Sequence, residues 1–123
     1  MYKLLSIPAL LLIISACSTH NTDERIFNGK NLDGFHIYNQ TKTNSKWKVS
    51  DGTLLCDPKS DGIFGDLVTD QEFEDFELSF EWWVKKSGNS GVFINVKEDT
   101  AFAATFATGL EMQLLDNANA EHR

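Results

Sequence analysis

The clearest period along this chain is two. From Asp75 to Lys85, the residues Phe76, Leu78, Phe80, Trp82 and Val84 alternate with Glu77, Ser79, Glu81, Trp83 and Lys85. That alternation predicts a strand with one apolar face and one open face. Leu110 to Leu115 repeats the arrangement, with Leu110, Met112 and Leu114 on one side and Glu111, Gln113 and Leu115 on the other. Trp47-Lys48-Val49 and Thr53-Leu54-Leu55-Cys56 flank Ser50-Asp51-Gly52, a hairpin signal because Asp-Gly accepts left-handed turn torsions. Two Gly turns precede an expected strand at Phe35 to Tyr38, and Asp61-Gly62 and Gly65 bracket a turn before Asp66-Leu67-Val68-Thr69. Lys86 to Gly91 reads as a tight polar turn leading into Val92 to Val96, with Gly88 and Gly91 supplying torsions or close approaches denied to other residues. Glu98 to Thr108 has no clean period and suits either a loop or a short helix over the open face. Downstream of Arg25 no amphipathic helix of useful length is visible, so the expected fold is all-β.

The N-terminus follows a different rule. Lys3 gives a short positive start, and Leu4 to Ile14 carries no charge. A helix needs about 20 apolar residues to cross a bilayer, so this shorter run predicts a signal peptide rather than a span. It closes on Ile14-Ser15-Ala16-Cys17, which resembles the lipobox of bacterial lipoproteins. The expected organisation is a signal peptide over residues 1–16, a lipidated Cys17 with a polar tether over residues 17–24, and one domain over residues 25–123. Ser18, not Asp, follows Cys17. This resembles lipoproteins sent onward to the outer membrane, so a membrane-anchored cell-envelope location is expected.

Composition narrows the partners. Loss of Lys3 with the leader leaves ten basic against eighteen acidic residues, a net charge of −8. No basic patch with interleaved aromatics is present, which argues against nucleic acid. All but one of the fourteen aromatic residues lie beyond the leader, so a packed domain is expected there. With Cys17 lipidated, Cys56 has no partner for a disulfide and reads as a buried strand thiol.

The open faces carry the candidate chemistry. Trp83 beside Glu81 is an aromatic with no packing reason unless a second layer or a ligand covers it. Glu111 and Gln113 would share that face if the two strands are neighbours. Carboxylates, an amide and an indole together suit a sugar, with the indole against C–H faces and the polar groups on hydroxyls or moving protons. The plain alternative is that Glu81 and Glu111 are solvated surface charges. No cofactor is implied: Glu, Gln, Asp and His suit a divalent metal by type, but their spacing matches no specific metal motif.

Five pieces in order resemble the 3-keto-disaccharide hydrolase domain family. They are Ile26-Phe27-Asn28-Gly29-Lys30-Asn31-Leu32-Asp33-Gly34-Phe35, the turn from Trp47 to Leu54, Asp75-Phe76-Glu77-Leu78-Ser79-Phe80-Glu81-Trp82, Asn89-Ser90-Gly91-Val92-Phe93, and Gly109-Leu110-Glu111-Met112-Gln113-Leu114-Leu115-Asp116-Asn117. Phe35 stands where the family usually has Trp, which keeps the ring body and loses the N–H donor. The resemblance implies a concanavalin-like β-sandwich (jelly roll) of antiparallel sheets with sugar chemistry on its concave face. It implies action on glycosides oxidised at C3. If the domain is catalytic, strand alternation offers Glu81 and Glu111 as the catalytic residues, with Trp83, Asn89, Gln113, Asp116 and His122 as the expected substrate-binding residues. A non-catalytic carbohydrate-binding lipoprotein and a structural surface lipoprotein are the alternatives. Ile26 to Arg123 corresponds to the first half of the family's domain. An incomplete sandwich with an unpaired edge is therefore expected.

Overall fold

The structure is a computed structural model and describes residues 23–40 and 44–118. The expected signal peptide, Cys17 and His122 lie outside the described residues. The architecture is all-β: β1 (Phe35–Ile37), β2 (Trp47–Ser50), β3 (Thr53–Cys56), β4 (Leu67–Thr69), β5 (Asn89–Ile94) and β6 (Leu110–Leu115), with one 3₁₀ turn at Thr105–Ala107. They form three antiparallel two-stranded ladders, β1–β4, β2–β3 and β5–β6, which do not join into one sheet among the described residues. No helix among these residues is long and apolar enough to cross a membrane.

Local chemistry explains the turns. Asp51 and Gly52 take φ of 51° and 75° and join Ser50 to its partner Thr53. Two left-handed residues match the twist of the flanking strands, as a tight hairpin requires. Lys48 Nζ clamps the open end of this hairpin by an ion pair with Asp57 Oδ2 at 2.5 Å. Ahead of β1, Asn28 Oδ1 accepts the N–H groups of Lys30 (2.7 Å) and Asn31 (3.0 Å), while Asn31 Oδ1 accepts that of Asp33 (3.2 Å). The Asn-Gly-Lys-Asn-Leu-Asp-Gly stretch is thus a side-chain-capped pair of turns. Phe27 rests edge-on against Phe35, with ring centroids 6.5 Å apart.

The β1–β4 ladder pairs Phe35 with Thr69, His36 with Val68 and Ile37 with Leu67. Tyr38 N–H to Asp66 O (3.0 Å) and Asp70 N–H to Gly34 O (2.8 Å) extend it at both ends. The most enclosed apolar residues gather beside it: Ile37 is 1% exposed and Tyr38 7%, joined elsewhere by Leu114 at 8%. Gly65 approaches so closely that a Cβ there would overlap Ile37 Cγ2, so that crossing excludes a side chain.

Two expectations fail. Asp75 to Lys85 forms no ladder among the described residues, and its apolar side is open, with Phe76 51% and Trp82 47% exposed. Alternation assigns faces, but a strand exists only when another strand satisfies its N–H and C=O groups, and among the described residues none lies beside this one. Cys56 is exposed rather than buried. It ends β3 opposite Trp47, and an apolar strand does not by itself supply the layer that would cover its last residue. A smaller shift concerns β5, which begins at Asn89 rather than Val92.

Candidate functional site

The β5–β6 register builds the first candidate surface. Asn89 lies opposite Leu115, Gly91 opposite Gln113 and Phe93 opposite Glu111, and directly paired residues point to the same side of a ladder. Asn89, Glu111 and Gln113 therefore share one face, and all three are exposed. Glu111 leans across its neighbour, since a Cβ on Gly91 would overlap the Glu111 carboxyl group. Gly91 thus supplies the close approach expected of it, and leaves room for an acid beside two amides.

Glu81 and Trp83 are not brought into that ladder. Both are exposed, Trp83 at 77%, and they lie in the segment without strand partners. Asp116 closes the end of β6: its Oδ2 accepts the Ser87 N–H (2.9 Å) and its Oδ1 that of Ala118 (3.0 Å), while its own N–H donates to Gly88 O (3.3 Å). Ser87 sits at φ 59° in the turn that this carboxylate braces. Among the described residues no group of three or more His, Cys, Asp and Glu is placed to hold a metal ion.

A second cluster had no counterpart in the sequence reading. His36 Nδ1 lies 2.7 Å from Asp70 Oδ1, and its Nε2 lies 2.8 Å from Glu98 Oε2. Carboxylates only accept, so both contacts are hydrogen bonds when the ring carries two protons. Burial opposes that charge, but hydrogen bonds to Glu98 and Asp70 and their negative charge outweigh it, and the His36 pKa is raised above its ordinary 6.5. Asp70 stands two residues beyond Val68, the partner of His36, and so reaches it diagonally on the same face. A broad open groove of about 1000 Å³ runs beside the cluster, lined by Asp33, Phe35, His36, Trp47, Lys48 and Asp70 among others. None of the β5–β6 residues lines it. The concavity and the expected sugar-binding strip are thus different places. The strip carries residue types that match sugar chemistry, whereas the two carboxylates of the groove are engaged, Asp70 by His36 at 2.7 Å and Asp33 by Asn31 Nδ2 at 2.7 Å.

With this geometry in view, the chain belongs to the family of 3-keto-alpha-glucoside-1,2-lyase-like domains, which it matches over residues 22–123. It is similar to a 3-keto-disaccharide hydrolase of Bacteroides thetaiotaomicron, at 35% identity over 107 residues. That match covers 76% of this chain and 37% of the relative, so the chain spans little more than a third of the relative's length.

Proposed function

We propose that this domain acts on 3-keto-glycosides in carbohydrate breakdown, as a lyase or hydrolase on a concanavalin-like sandwich to which the three ladders contribute. The observation that carries the reading is the common face of Asn89, Glu111 and Gln113 in a chain of this family. A ketone at C3 acidifies the C2 proton, so one of the carboxylates Glu81 and Glu111 takes that proton and the electron pair is held as an enolate. The enolate collapses to a C1–C2 double bond as the C1–O bond breaks. The departing oxygen takes a proton from the other carboxyl group or from another residue of the domain, and addition of water across the double bond completes hydrolysis. Asn89 and Gln113 bind hydroxyls, Trp83 stacks on the ring, and Asp116 and His122 border the sugar.

Removal of a proton-transfer group costs about 10²- to 10⁴-fold in rate. In the full-length protein, Glu111→Gln and Glu81→Gln should each lower turnover of a 3-keto-glucoside by that order, with unchanged melting. Variants that stay within a factor of about two of the parent, far inside that loss, would remove both carboxylates from the chemistry. One observation favours a second reading, a carbohydrate-binding module without catalysis: among the described residues Glu81 shares no ladder with Glu111. Sugar binding by a parent that never turns substrate over would select it.

We also propose that Cys17 carries the lipid and holds the protein at the cell envelope, on the outer membrane. The Ile14-Ser15-Ala16-Cys17 run supports this, and two or three acyl chains suffice for stable anchoring. Cys17→Ser should move the protein to the soluble fraction; unchanged membrane fractionation without acyl mass on the N-terminal peptide would refute the anchor.

A further inference from the structure

The connection between β5 and β6, residues 95–109, closes on itself and docks on a different ladder. Its neck is pinned where Lys97 N–H donates to Thr108 Oγ1 (2.9 Å) and Gly109 N–H donates to Thr105 O (2.9 Å). A Cβ on Gly109 would stand 2.7 Å from Val96 Cγ2 and 3.2 Å from Thr105 O, so the neck is too tight for a side chain. From there the connection reaches β1. Tyr38 Oη donates to Lys97 O (3.0 Å), and Asn39 Nδ2 donates to Phe102 O (2.9 Å) and Asp99 O (3.3 Å). Asn39 N–H donates to Glu98 Oε1, and Thr105 Oγ1 donates to Asp66 Oδ2 at 2.5 Å.

Among these ties one is sensitive to protons near neutrality, because imidazole alone of the groups involved ordinarily changes charge there. Glu98 serves two partners at once, His36 through Oε2 and the Asn39 backbone through Oε1. Its grip on β1 is therefore bidentate, and half of that grip depends on the ring.

We infer that His36 is a positioning residue: held between Asp70 and Glu98, it clasps the β5–β6 connection to the β1–β4 ladder and thereby steadies β6 and the face bearing Glu111 and Gln113. The importance of that face rests on the function proposed above; the clasp does not. Charged groups on every side of His36 are accounted for. Asp70 follows β4, and Glu98 lies on the connection, where Lys97 and Asp99 pair with each other at 3.0 Å. Lys30, Asp33 and Lys48 line the adjoining groove, with Lys48 committed to Asp57. The charges that act on the ring are those of Glu98 and Asp70, and they keep it protonated above its ordinary 6.5. The clasp is therefore fully made below that value and weakens as pH rises through the raised one, because a neutral ring keeps a single N–H and can donate to only one of the two carboxylates.

The test uses the full chain without sugar, so its outcome does not depend on whether the domain acts on glycosides. Imidazole resonances give the His36 midpoint, and amide hydrogen exchange is followed at Asn39 and at Met112 and Leu114, which lie opposite Val92 and Ser90 in β5 and whose N–H groups face that strand. Expected are a midpoint above 6.5 and, as pH crosses it, exchange up to about fivefold faster at all three amides beyond the rise that base catalysis gives every amide. Glu98→Gln should lower the midpoint, and His36→Gln should exchange fast at every pH. Should His36→Gln fail to fold, Glu98→Gln carries the comparison, since it retains the ring and its Asp70 partner. A parent midpoint at or below 6.5, or β6 amides indifferent to His36 while Asn39 responds, would overturn the positioning role.

Discussion

β1 and the segment from Asp75 to Lys85 reverse the usual relation between pattern and burial. β1 is three residues long with His36 at its centre, yet it leads into the most enclosed apolar pair, Ile37 and Tyr38. Asp75 to Lys85 alternates over eleven residues, yet Phe76, Leu78, Phe80 and Trp82 are all exposed. The difference lies in what the rest of the chain brings. β4 satisfies the β1 backbone, and the 97–102 segment lies across its end through Tyr38 and Asn39. Among the described residues Asp75 to Lys85 gains no strand partner, only the edge-on contact of Phe76 with Phe73, centroids 6.4 Å apart, and a turn bond from Gly88 N–H to Lys85 O (2.7 Å). Burial is conferred by neighbours, and a good alternation cannot create them.

The sharpest way to break this contrast is to truncate one apolar residue on each side of it. Ile37→Ala should destabilise the chain by about 2–5 kcal/mol, the usual cost of emptying a buried aliphatic site. Phe80→Ala should stay within about 0.5 kcal/mol, as an exposed position does. Urea unfolding measures both, and equal costs would mean that Asp75 to Lys85 is packed after all. A smaller effect is expected at the hairpin turn, where Gly52 holds φ 75°. Gly52→Ala should cost about 1–2 kcal/mol, the penalty of forcing an L-residue into the left-handed region. A neutral substitution there would show that the turn is not needed to define β2–β3.

Next comes Tyr38→Phe, which keeps the ring and removes the bond to Lys97 O. A loss of about 0.5–1.5 kcal/mol, with faster amide exchange confined to residues near 97–102, would mark the connection as the lid over β1. The smallest effect is the pH dependence from His36. Its folded pKa is raised, so its contribution is complete below the ordinary value of 6.5 and fades as pH rises through the folded value. Because Asp70 and Glu98 are partly solvated, about 0.2–1 kcal/mol is expected. Unfolding curves across that interval should drift for the parent and not for His36→Gln.

Where chemistry is local, the sequence was a reliable guide. Asp51-Gly52 foretold the β2–β3 hairpin because left-handed torsions are a property of those two residues. The alternation from Leu110 to Leu115 placed Glu111 and Gln113 on one face because side chains in any strand point to alternate sides. The shared face with Asn89 depended on more, namely the β5–β6 register. Cys56 misled because an apolar strand suggests a covered thiol, and cover is not encoded in the strand.

The sequence alone determined the all-β class, the turns and the residue types able to engage a sugar, since each follows from torsional preference or side-chain chemistry within a few positions. The tertiary structure decided which alternating segment gained a partner, and it decided the His36, Asp70 and Glu98 cluster. Those three residues are 34 and 62 positions apart along the chain. No local pattern links them: His36 and Asp70 meet through antiparallel register, and Glu98 arrives only when the β5–β6 connection folds back over β1.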